Sequence, residues 1–213
     1  MPHPDAATRI LLARHGGTTS SDAGLFAGSS DVELSDVGRA QARQLAERLA
    51  RETIDAAYCS DMKRTVATAA AVCAPHPLSP APTAALRELD HGHWEGLSRA
   101  EVETRFAGEY RAWSDDPFTY APPGGQSGAA VLARALPALT GIVADHPGQT
   151  VLVVSHTATN RLLLCALLGI DPRRYRDRLA QDLACLNVLE FRGPANARLL
   201  LMNDTSHLAG LSG

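Results

Sequence analysis

The stretch that decides the fold is Thr150-Val151-Leu152-Val153-Val154-Ser155-His156, in which an apolar run ends in a polar pair. Apolar and β-branched residues on both faces are typical of a strand in the interior of a parallel sheet. A second run of this kind, Ile10 to Ala13, leads into Arg14-His15-Gly16. We therefore predict two buried strands, each of which delivers a histidine to the loop at its carboxyl end.

Helical and strand patterns alternate outward from these two strands. Helices are predicted over Asp36 to Arg51, Asp61 to Ala74, Ser98 to Trp113, Ser127 to Asp145 and Asn160 to Leu168. Ser35 is the expected N-cap of the first, and Pro137 should kink or restart the fourth. Further strands are predicted over Ile54 to Cys59, Cys185 to Phe191 and Arg198 to Met202. The alternation predicts an α/β fold in which helices flank a mostly parallel sheet.

The composition bounds the class of protein. The chain has 213 residues, 45% of them hydrophobic, which is enough for one core, so residues 1–213 are predicted to form a single domain. A formal net charge of −3 does not favour nucleic acid as a partner. The polar start, Met1 to Arg9, lacks an apolar run of signal-peptide length, and we find no stretch of about eighteen apolar residues that would span a membrane. We expect a cytoplasmic protein without a membrane partner.

The distribution of cysteines is also consistent with a cytoplasmic protein. Cys59, Cys73, Cys165 and Cys185 lie far apart in apolar surroundings, without a C-x-x-C spacing. We predict that all four are buried free thiols, as expected in a reducing cytosol.

Basic side chains meet the two histidines at one edge of the predicted sheet. A third strand ends at Ser60-Asp61 and opens a helix that carries Arg64. Ligands of open α/β sheets bind at the carboxyl ends of the strands. Lys63 is the only lysine, so an anion site must be built mainly from arginine and histidine. The planar guanidinium fork donates two parallel hydrogen bonds to phosphate and stays charged, which favours a phosphate site here.

Six segments, in order along the chain, resemble the signatures of the histidine phosphatase superfamily, which includes phosphoglycerate mutases, fructose-2,6-bisphosphatase and α-ribazole phosphatase. They are Arg14-His15-Gly16; Leu34-Ser35 with Gly38 and Gln41-Ala42; Ser60 to Arg64 with Thr68-Ala69; Leu86-Arg87-Glu88 with Gly92 to Gly96; Gly124 to Ser127; and Val154-Ser155-His156 with Arg161. An Arg-His-Gly triplet alone is a weak signal, whereas six ordered matches are a strong one. The resemblance implies a three-layer, phosphoglycerate mutase-like sandwich.

The resemblance also implies an activity, that of a metal-independent phosphatase without a cofactor. His15 would attack phosphorus and form a phosphohistidine, and positive neighbours would keep its imidazole neutral. Arg14, Arg64 and His156 would hold the equatorial phosphate oxygens. Glu88 would protonate the leaving oxygen and later activate water.

Substrate contacts are expected from Gly16, Ser21, Thr157 and His91. Ser21 stands where the family often has Asn, and Thr157 stands where it often has Gly. Gly17 replaces the Glu that usually follows Arg-His-Gly, and Gln126 replaces a Glu near the mouth of the pocket. The substrate is expected to be a small phosphoester, whose identity the sequence leaves open, as it leaves open whether the protein is a monomer or a homodimer.

Three functions remain compatible with these residues. The favoured one is hydrolysis of a phosphorylated metabolite. The second is a mutase, but the family's mutases are usually longer, whereas this chain is short and ends in a small polar tail, Ser206 to Gly213. The third is a non-catalytic phosphate-binding protein, against which the intact histidines, arginines and acid argue.

Other features are assigned structural roles. His91-Gly92-His93 lacks the further ligands of a zinc site, so no metal is expected, and one of these histidines is expected to line the pocket beside Glu88. The basic run Arg173 to Arg178 is interpreted most simply as a solvated surface, with an additional anion-binding role as the alternative. Trp94 and Trp113 are expected to pack in the core or at the rim. The loops between His91 and Gln126 are expected to set specificity.

Overall fold

The computed structural model describes residues 7–210, which contain a six-stranded sheet with helices on both faces. The strands are β1 Thr8–Arg14, β2 Ala56–Cys59, β3 Ala81–Pro82, β4 Thr150–Ser155, β5 Leu186–Phe191 and β6 Ala197–Asp204. The helices are α1 Thr19–Asp22, α2 Asp36–Leu49, α3 Lys63–Cys73, α4 Arg99–Arg105, α5 Ala107–Asp115, α6 Gly128–Asp145, α7 Thr157–Leu168 and α8 Tyr175–Arg178.

The strand order is β3-β2-β4-β1-β5-β6. The first four strands are parallel, whereas β5 runs antiparallel to β1 and β6 antiparallel to β5. The predicted α/β fold with a mostly parallel sheet is therefore confirmed. The polar start at 1–6 and the last residues of the tail, 211–213, lie outside the described residues, and the single-domain assignment of the whole chain stays a prediction.

Alternation along the strands builds a core on each face of the sheet. Ile10 and Leu12 of β1 point into one core, which α6 and α7 cover. Leu11 and Ala13 point into the other, which α2 and α3 cover. The sheet and these two helical layers hold the carboxyl ends of β1 and β4 side by side, because the two strands pair in register from Arg9↔Thr150 to Arg14↔Ser155.

The helix predicted over Ser98 to Trp113 is wrong in one respect, because it is two helices. The chain turns at Phe106, whose φ of −132° and ψ of 40° end α4 and precede α5. The turn lets Val102 of α4 and Tyr110 and Trp113 of α5 pack together around Trp94. Packing of these aromatic side chains thus overrides the helical periodicity.

The kink or restart predicted at Pro137 is also wrong, since α6 runs unbroken through it. Pro137 lies on the outer face, while Val131, Ala135 and Leu139 are fully buried against the sheet. The missing N–H of the proline is therefore on the solvent side, where water can satisfy the carbonyl that it would have bonded. Packing of the opposite face keeps the helix continuous.

Helix α6 also corrects the expectation that no segment could span a membrane. It is 18 residues long and apolar enough to cross a membrane by length and composition alone. One of its faces lies in the core described above, and Arg134 on another donates hydrogen bonds to the carbonyls of Ala85, Arg87 and Glu88. These contacts are those of a helix packed on a sheet.

The predicted state of the cysteines is confirmed. All four thiols are free and buried. Burial raises the pKa of Cys165 and of Cys185 to about 11, so neither thiol is activated for chemistry. The cytoplasmic location stays a prediction.

Candidate active site

A cavity of about 210 Å³ opens where β1 and β4 end. Most of the predicted site residues line it together: Arg14, His15, Ser21, Arg64, Glu88, His91 and Thr157. His156 is fully buried, and its ring lies edge-on to that of His15 with the two centroids 5.1 Å apart. The strand ends thus gather the histidines and arginines as predicted.

The imidazole of His15 is held in one orientation. Its Nδ1 lies 2.7 Å from the carbonyl oxygen of Gly16, which can only accept, so the proton of the neutral ring is on Nδ1 and Nε2 carries a free lone pair. Burial, followed by the charges of Arg14 and Arg64, lowers the pKa of His15 well below its ordinary value. The ring is therefore neutral near pH 7, the form that can act as a nucleophile.

His156 has the opposite tautomer. The Nε–H of Arg64 donates to its Nδ1 at 3.3 Å, so the ring proton lies on Nε2. This Nε2 is buried and has no hydrogen-bond partner among residues 7–210. Burial, together with the nearby His15 and Arg64, lowers the pKa of His156 well below its ordinary value. One histidine therefore presents a lone pair and the other an N–H donor.

Arg64 also positions neighbouring groups, a role that the sequence did not predict. It is 1% exposed, and besides His156 it donates to the carbonyls of Ser30 and Gly28, both at 2.8 Å. The guanidinium thereby fixes the tautomer of His156 and joins it to the loop at residues 27–30. Arg64 still lines the cavity, and its charge is not paired by an ion pair within the described part of the chain.

Arg14 is anchored by one end only. Its Nη1 donates to the carbonyl of Gln181 at 2.6 Å, and its buried Nε has no partner within residues 7–210. Burial lowers the pKa of Arg14, and the carboxylate of Glu88 opposes that shift. The guanidinium is thus held in place with donors left for an anion.

The carboxylate of Glu88 lies against the first turn of α7. Its Oε2 accepts from the N–H of Ala158 at 3.0 Å, and its Oε1 accepts from the N–H groups of Leu89 and Thr159 at 2.9 and 3.2 Å. The positive end of the helix dipole suits a carboxylate at this place. Because Oε2 carries a single protein hydrogen bond, it is the oxygen better placed to exchange a proton with a group in the cavity.

Gly16 and Ser21, two of the predicted substrate contacts, form hydrogen bonds within the protein, and their contact with a substrate stays a prediction. The N–H of Gly16 donates to Thr68 Oγ1 at 3.2 Å, and Gly16 does not line the cavity. A Cβ at Gly16 would clash with the carbonyl oxygen of Gly38, so this glycine serves close backbone packing against α2. The hydroxyl of Ser21 lines the cavity and donates to the carbonyl of Thr18 at 2.8 Å. It also accepts from the N–H of Thr18 at 2.7 Å, as part of the capping box that opens α1.

Aromatic side chains form one wall of the cavity. His91 lines it, as expected for one of the two histidines, whereas His93 is exposed. The His91 ring packs on Phe26 and Trp113, with centroids 4.8 and 6.1 Å apart, and burial lowers the pKa of His91. Trp94 and Trp113 are buried, which confirms their predicted packing.

Two arginines of the cavity were not predicted from the sequence. Arg161 was quoted only as part of a motif, and Arg176 was assigned to a solvated surface, yet both line the cavity. The interpretation of the basic run as a solvated surface holds for Arg173, Arg174 and Arg178, which are exposed, and fails for Arg176. Tyr175, only 2% exposed, anchors the run to the core beside Arg176. The apolar Tyr175 between arginines was the signal that could have indicated this anchoring.

The sequence did not indicate a role for Glu95. Its side chain positions the loop at residues 27–30, whose carbonyls accept hydrogen bonds from Arg64. Its partly buried carboxylate accepts from the backbone N–H groups of Gly28, Ser29, Ser30 and His91 at 2.8 to 3.1 Å. Although burial alone would raise it, hydrogen bonds from Ser30, Ser29, His91 and Gly28 keep the pKa of Glu95 below its usual value. The carbonyls of Gly28 and Ser30 then accept from Arg64, which orients His156.

Replacing Glu95 by glutamine tests this chain of contacts. The amide would put an NH₂ group against N–H donors, and each buried donor left unpaired costs about 1–3 kcal/mol. We expect kcat to fall about 10-fold to 100-fold with KM changed less than about threefold, because the loop would no longer fix Arg64 and His156.

The matched control is Glu103→Gln, which breaks an exposed ion pair with Arg99 on α4 and should change neither constant measurably. Both variants are measured by initial rates well below their melting temperatures. A Glu95→Gln protein that melts earlier but keeps its kcat would show that the carboxylate supports folding alone.

Comparisons with known proteins bear on this geometry. The model of the histidine phosphatase superfamily, branch 1, matches residues 10–205. Phosphoserine phosphatase 1 of Hydrogenobacter thermophilus is 34% identical over 200 residues, which cover 94% of each chain. Glucosyl-3-phosphoglycerate phosphatase of Mycobacterium tuberculosis is 34% identical over 172 residues, which cover 77% of each. The solved structure of YhfR from Bacillus stearothermophilus superposes with a TM-score of 0.89 at 28% identity, covering 94% of this chain and 99% of that one.

Proposed function

The chain belongs to the histidine phosphatase superfamily and is a phosphatase, and we propose that it hydrolyses a small phosphorylated metabolite through a phosphohistidine on His15. The proposal rests on one observation, that His15 and His156 have opposite tautomers at the same cavity. His15 presents a free Nε2 lone pair, and His156, oriented by Arg64, presents an Nε2–H donor. A nucleophile beside an anion donor is the arrangement that attack on a phosphate ester needs.

In the first step, Nε2 of His15 attacks phosphorus opposite the ester oxygen. The N–P bond forms as the P–O bond breaks, and the leaving oxygen takes a proton from Glu88, which becomes a carboxylate. General acid catalysis of this kind contributes about 10²-fold to 10⁴-fold. The position of Glu88 at the cavity, with Oε2 the less committed oxygen, supports this role.

The transferring phosphoryl group spreads its negative charge over three equatorial oxygens. We assign the donors to Arg14, through its unpaired Nε, and to Nε2–H of His156. Arg64 acts through its charge and by fixing His156. Removing a preorganised donor of this kind typically costs about 3–4 kcal/mol of barrier. Thr157 also lines the cavity at the start of α7, and we keep it as a proposed phosphate contact.

In the second step, water attacks the phosphohistidine. Glu88, now a carboxylate, takes a proton from the water as the O–P bond forms and the N–P bond breaks. Inorganic phosphate leaves, and His15 and the protonated Glu88 are restored. The cavity volume of about 210 Å³ supports a small substrate.

A phosphate-release assay with excess chelator tests the proposal. The purified chain should release inorganic phosphate from p-nitrophenyl phosphate and from small alkyl phosphates at an unchanged rate with EDTA present. Arginine and histidine, rather than a cation, would neutralise the phosphate. Vanadate, which adopts five-coordinate geometry, should inhibit at micromolar concentration, because it resembles the transition state.

Three results would count against the proposal. Isomerised product without net phosphate release would identify a mutase. Loss of activity with EDTA that zinc or magnesium restores would identify a metal-dependent mechanism. Indifference to vanadate together with no turnover of any ester would favour a protein that only binds phosphate.

A further inference from the structure

We infer that the substrate carries a carboxylate on its alcohol part, and that Arg161 and Arg176 bind that carboxylate. The inference rests on the proposed function, since it concerns the same cavity. The two arginines enter the cavity from α7 and α8, and the proposed phosphoryl transfer uses neither of them.

Neither guanidinium is neutralised by the protein. Within residues 7–210, no ion pair involves Arg161 or Arg176, and the buried Nε of Arg161 has no hydrogen-bond partner. The neighbouring arginines of the same run differ, because Arg173 pairs with Asp171 at 2.7 Å and Arg174 pairs with Asp177 at 2.8 Å. Both side chains are partly buried, and a partly buried cation without a partner is stabilised by a ligand that supplies the opposite charge.

Arg176 is held in a geometry that suits a planar anion. Its guanidinium carbon lies 3.9 Å from the centroid of the Trp113 ring, and Trp113 is 3% exposed. Stacking of this kind uses the face of the guanidinium and leaves its N–H fork free at the edge. A carboxylate can accept two parallel hydrogen bonds from such an edge.

The charge of the cavity predicts one anionic group beyond the phosphate. Four guanidiniums line it, those of Arg14, Arg64, Arg161 and Arg176. The lowered pKa values of the histidines keep them neutral. With Glu88 protonated, as the first step of the proposed reaction requires, a phosphate dianion neutralises two of these four positive charges, so the cavity can hold a further anionic group. A planar carboxylate fits the fork of the stacked Arg176 guanidinium.

The position of Arg161 joins this subsite to the phosphate. Arg161 follows Ala158 and Thr159, whose N–H groups hold Glu88, by less than one helical turn of α7. Glu88 opposes the lowering of the Arg161 pKa that burial causes, so the two side chains are electrostatic neighbours. A carboxylate bound to Arg161 would therefore lie on the leaving-group side, next to the proposed acid.

The experiment compares esters that differ in the carboxylate. For wild type, we expect kcat/KM for 3-phosphoglycerate to exceed that for glycerol 3-phosphate about 10-fold to 100-fold, since charge-assisted hydrogen bonds add selectivity of this size. O-phosphoserine should exceed O-phosphoethanolamine in the same way. Arg176→Gln and Arg161→Gln should lose that preference through KM and leave p-nitrophenyl phosphate within about threefold of wild type.

Controls separate binding from folding. Arg178→Gln removes an exposed arginine of the same run and should keep the preference. Arg161→Lys keeps the charge without the fork and should retain part of it. Melting curves of every variant identify any that fail to fold, and Arg176→Gln, on a short surface helix, keeps the test valid if Arg161→Gln does not fold.

The possible results of these assays separate failure of the carboxylate subsite from failure of the proposed function. Equal kcat/KM for the two esters of a pair, with p-nitrophenyl phosphate turned over, overturns the carboxylate subsite and leaves the proposed function standing. Losses in the variants that are the same with and without the carboxylate also overturn it. Preference for 2,3-bisphosphoglycerate over 3-phosphoglycerate would assign the arginines to a second phosphate. No hydrolysis of any ester by wild type would instead refute the proposed function.

Discussion

Replacing His15 by alanine is expected to lower kcat by about 10⁴-fold or more, because alanine lacks the imidazole that forms the covalent intermediate. His15 alone combines an unprotonated Nε2, an orientation fixed by Gly16, and a place beside the arginines. The Nε2 of His156 carries the proton that Arg64 imposes by donating to Nδ1, so it cannot substitute. The measurement is phosphate release from p-nitrophenyl phosphate at saturating substrate.

Two further readouts make this result specific. Wild type quenched during turnover should contain a phosphoryl group that acid releases and base does not, as expected of phosphohistidine, and His15→Ala should contain none. The control is His93→Ala, since His93 is exposed and lies outside the cavity lining. If His15→Ala kept activity within about tenfold of wild type, the assignment of the nucleophile would be wrong.

The location of the candidate site at one edge of the sheet could be predicted from the sequence, because the residues that follow parallel strands lie at the same edge. The apolar runs before His15 and His156 indicated two buried strands, and their carboxyl ends must share an edge if the strands are parallel. Pairing in register brings Arg14 level with Ser155, so each histidine comes next at the same height. Glu88 lies on no strand, and only the order of the motifs indicated that it belongs here.

Several contacts could not be predicted from the sequence, because each depends on a partner from a distant part of the chain. Gly16 is predicted to contact the substrate, and its N–H donates to Thr68 of α3. The spacing of residues 98–113 fits one helix, but packing on Trp94 breaks it at Phe106. Arg176 looked solvated in a basic run, but Trp113 from α5 stacks on it. Local patterns contain no information about such partners.

The tautomers could not be predicted from the sequence for the same reason. The amino-acid sequence does not specify which ring nitrogen of a histidine is protonated or which one faces the ligand. The tautomer of His15 is set by its own neighbour, Gly16, whereas that of His156 depends on Arg64, 92 residues away. The position of Arg64 depends in turn on the loop that Glu95 holds. The two histidines therefore differ in role although the sequence presents them alike.

Replacing Glu88 by glutamine is the second substitution with a large expected effect, and its size should depend on the leaving group. Glutamine keeps the shape and one acceptor oxygen but cannot donate an acidic proton. The first turnover on glycerol 3-phosphate should fall about 10²-fold to 10⁴-fold, because an alkoxide leaves poorly without protonation. The first turnover on p-nitrophenyl phosphate should stay within about tenfold, since p-nitrophenolate needs no acid.

Stopped-flow measurement separates the two halves of the reaction. With p-nitrophenyl phosphate, Glu88→Gln should release one equivalent of p-nitrophenol per site in a burst and then turn over slowly, because water attack on the phosphohistidine still needs a base. Glu103→Gln, an exposed change of the same kind, should behave as wild type. Equal losses on both esters in the first turnover would mean that Glu88 positions α7 through Ala158 and Thr159 and donates no proton. A burst on the activated ester alone requires both proton transfers to pass through this one carboxyl group.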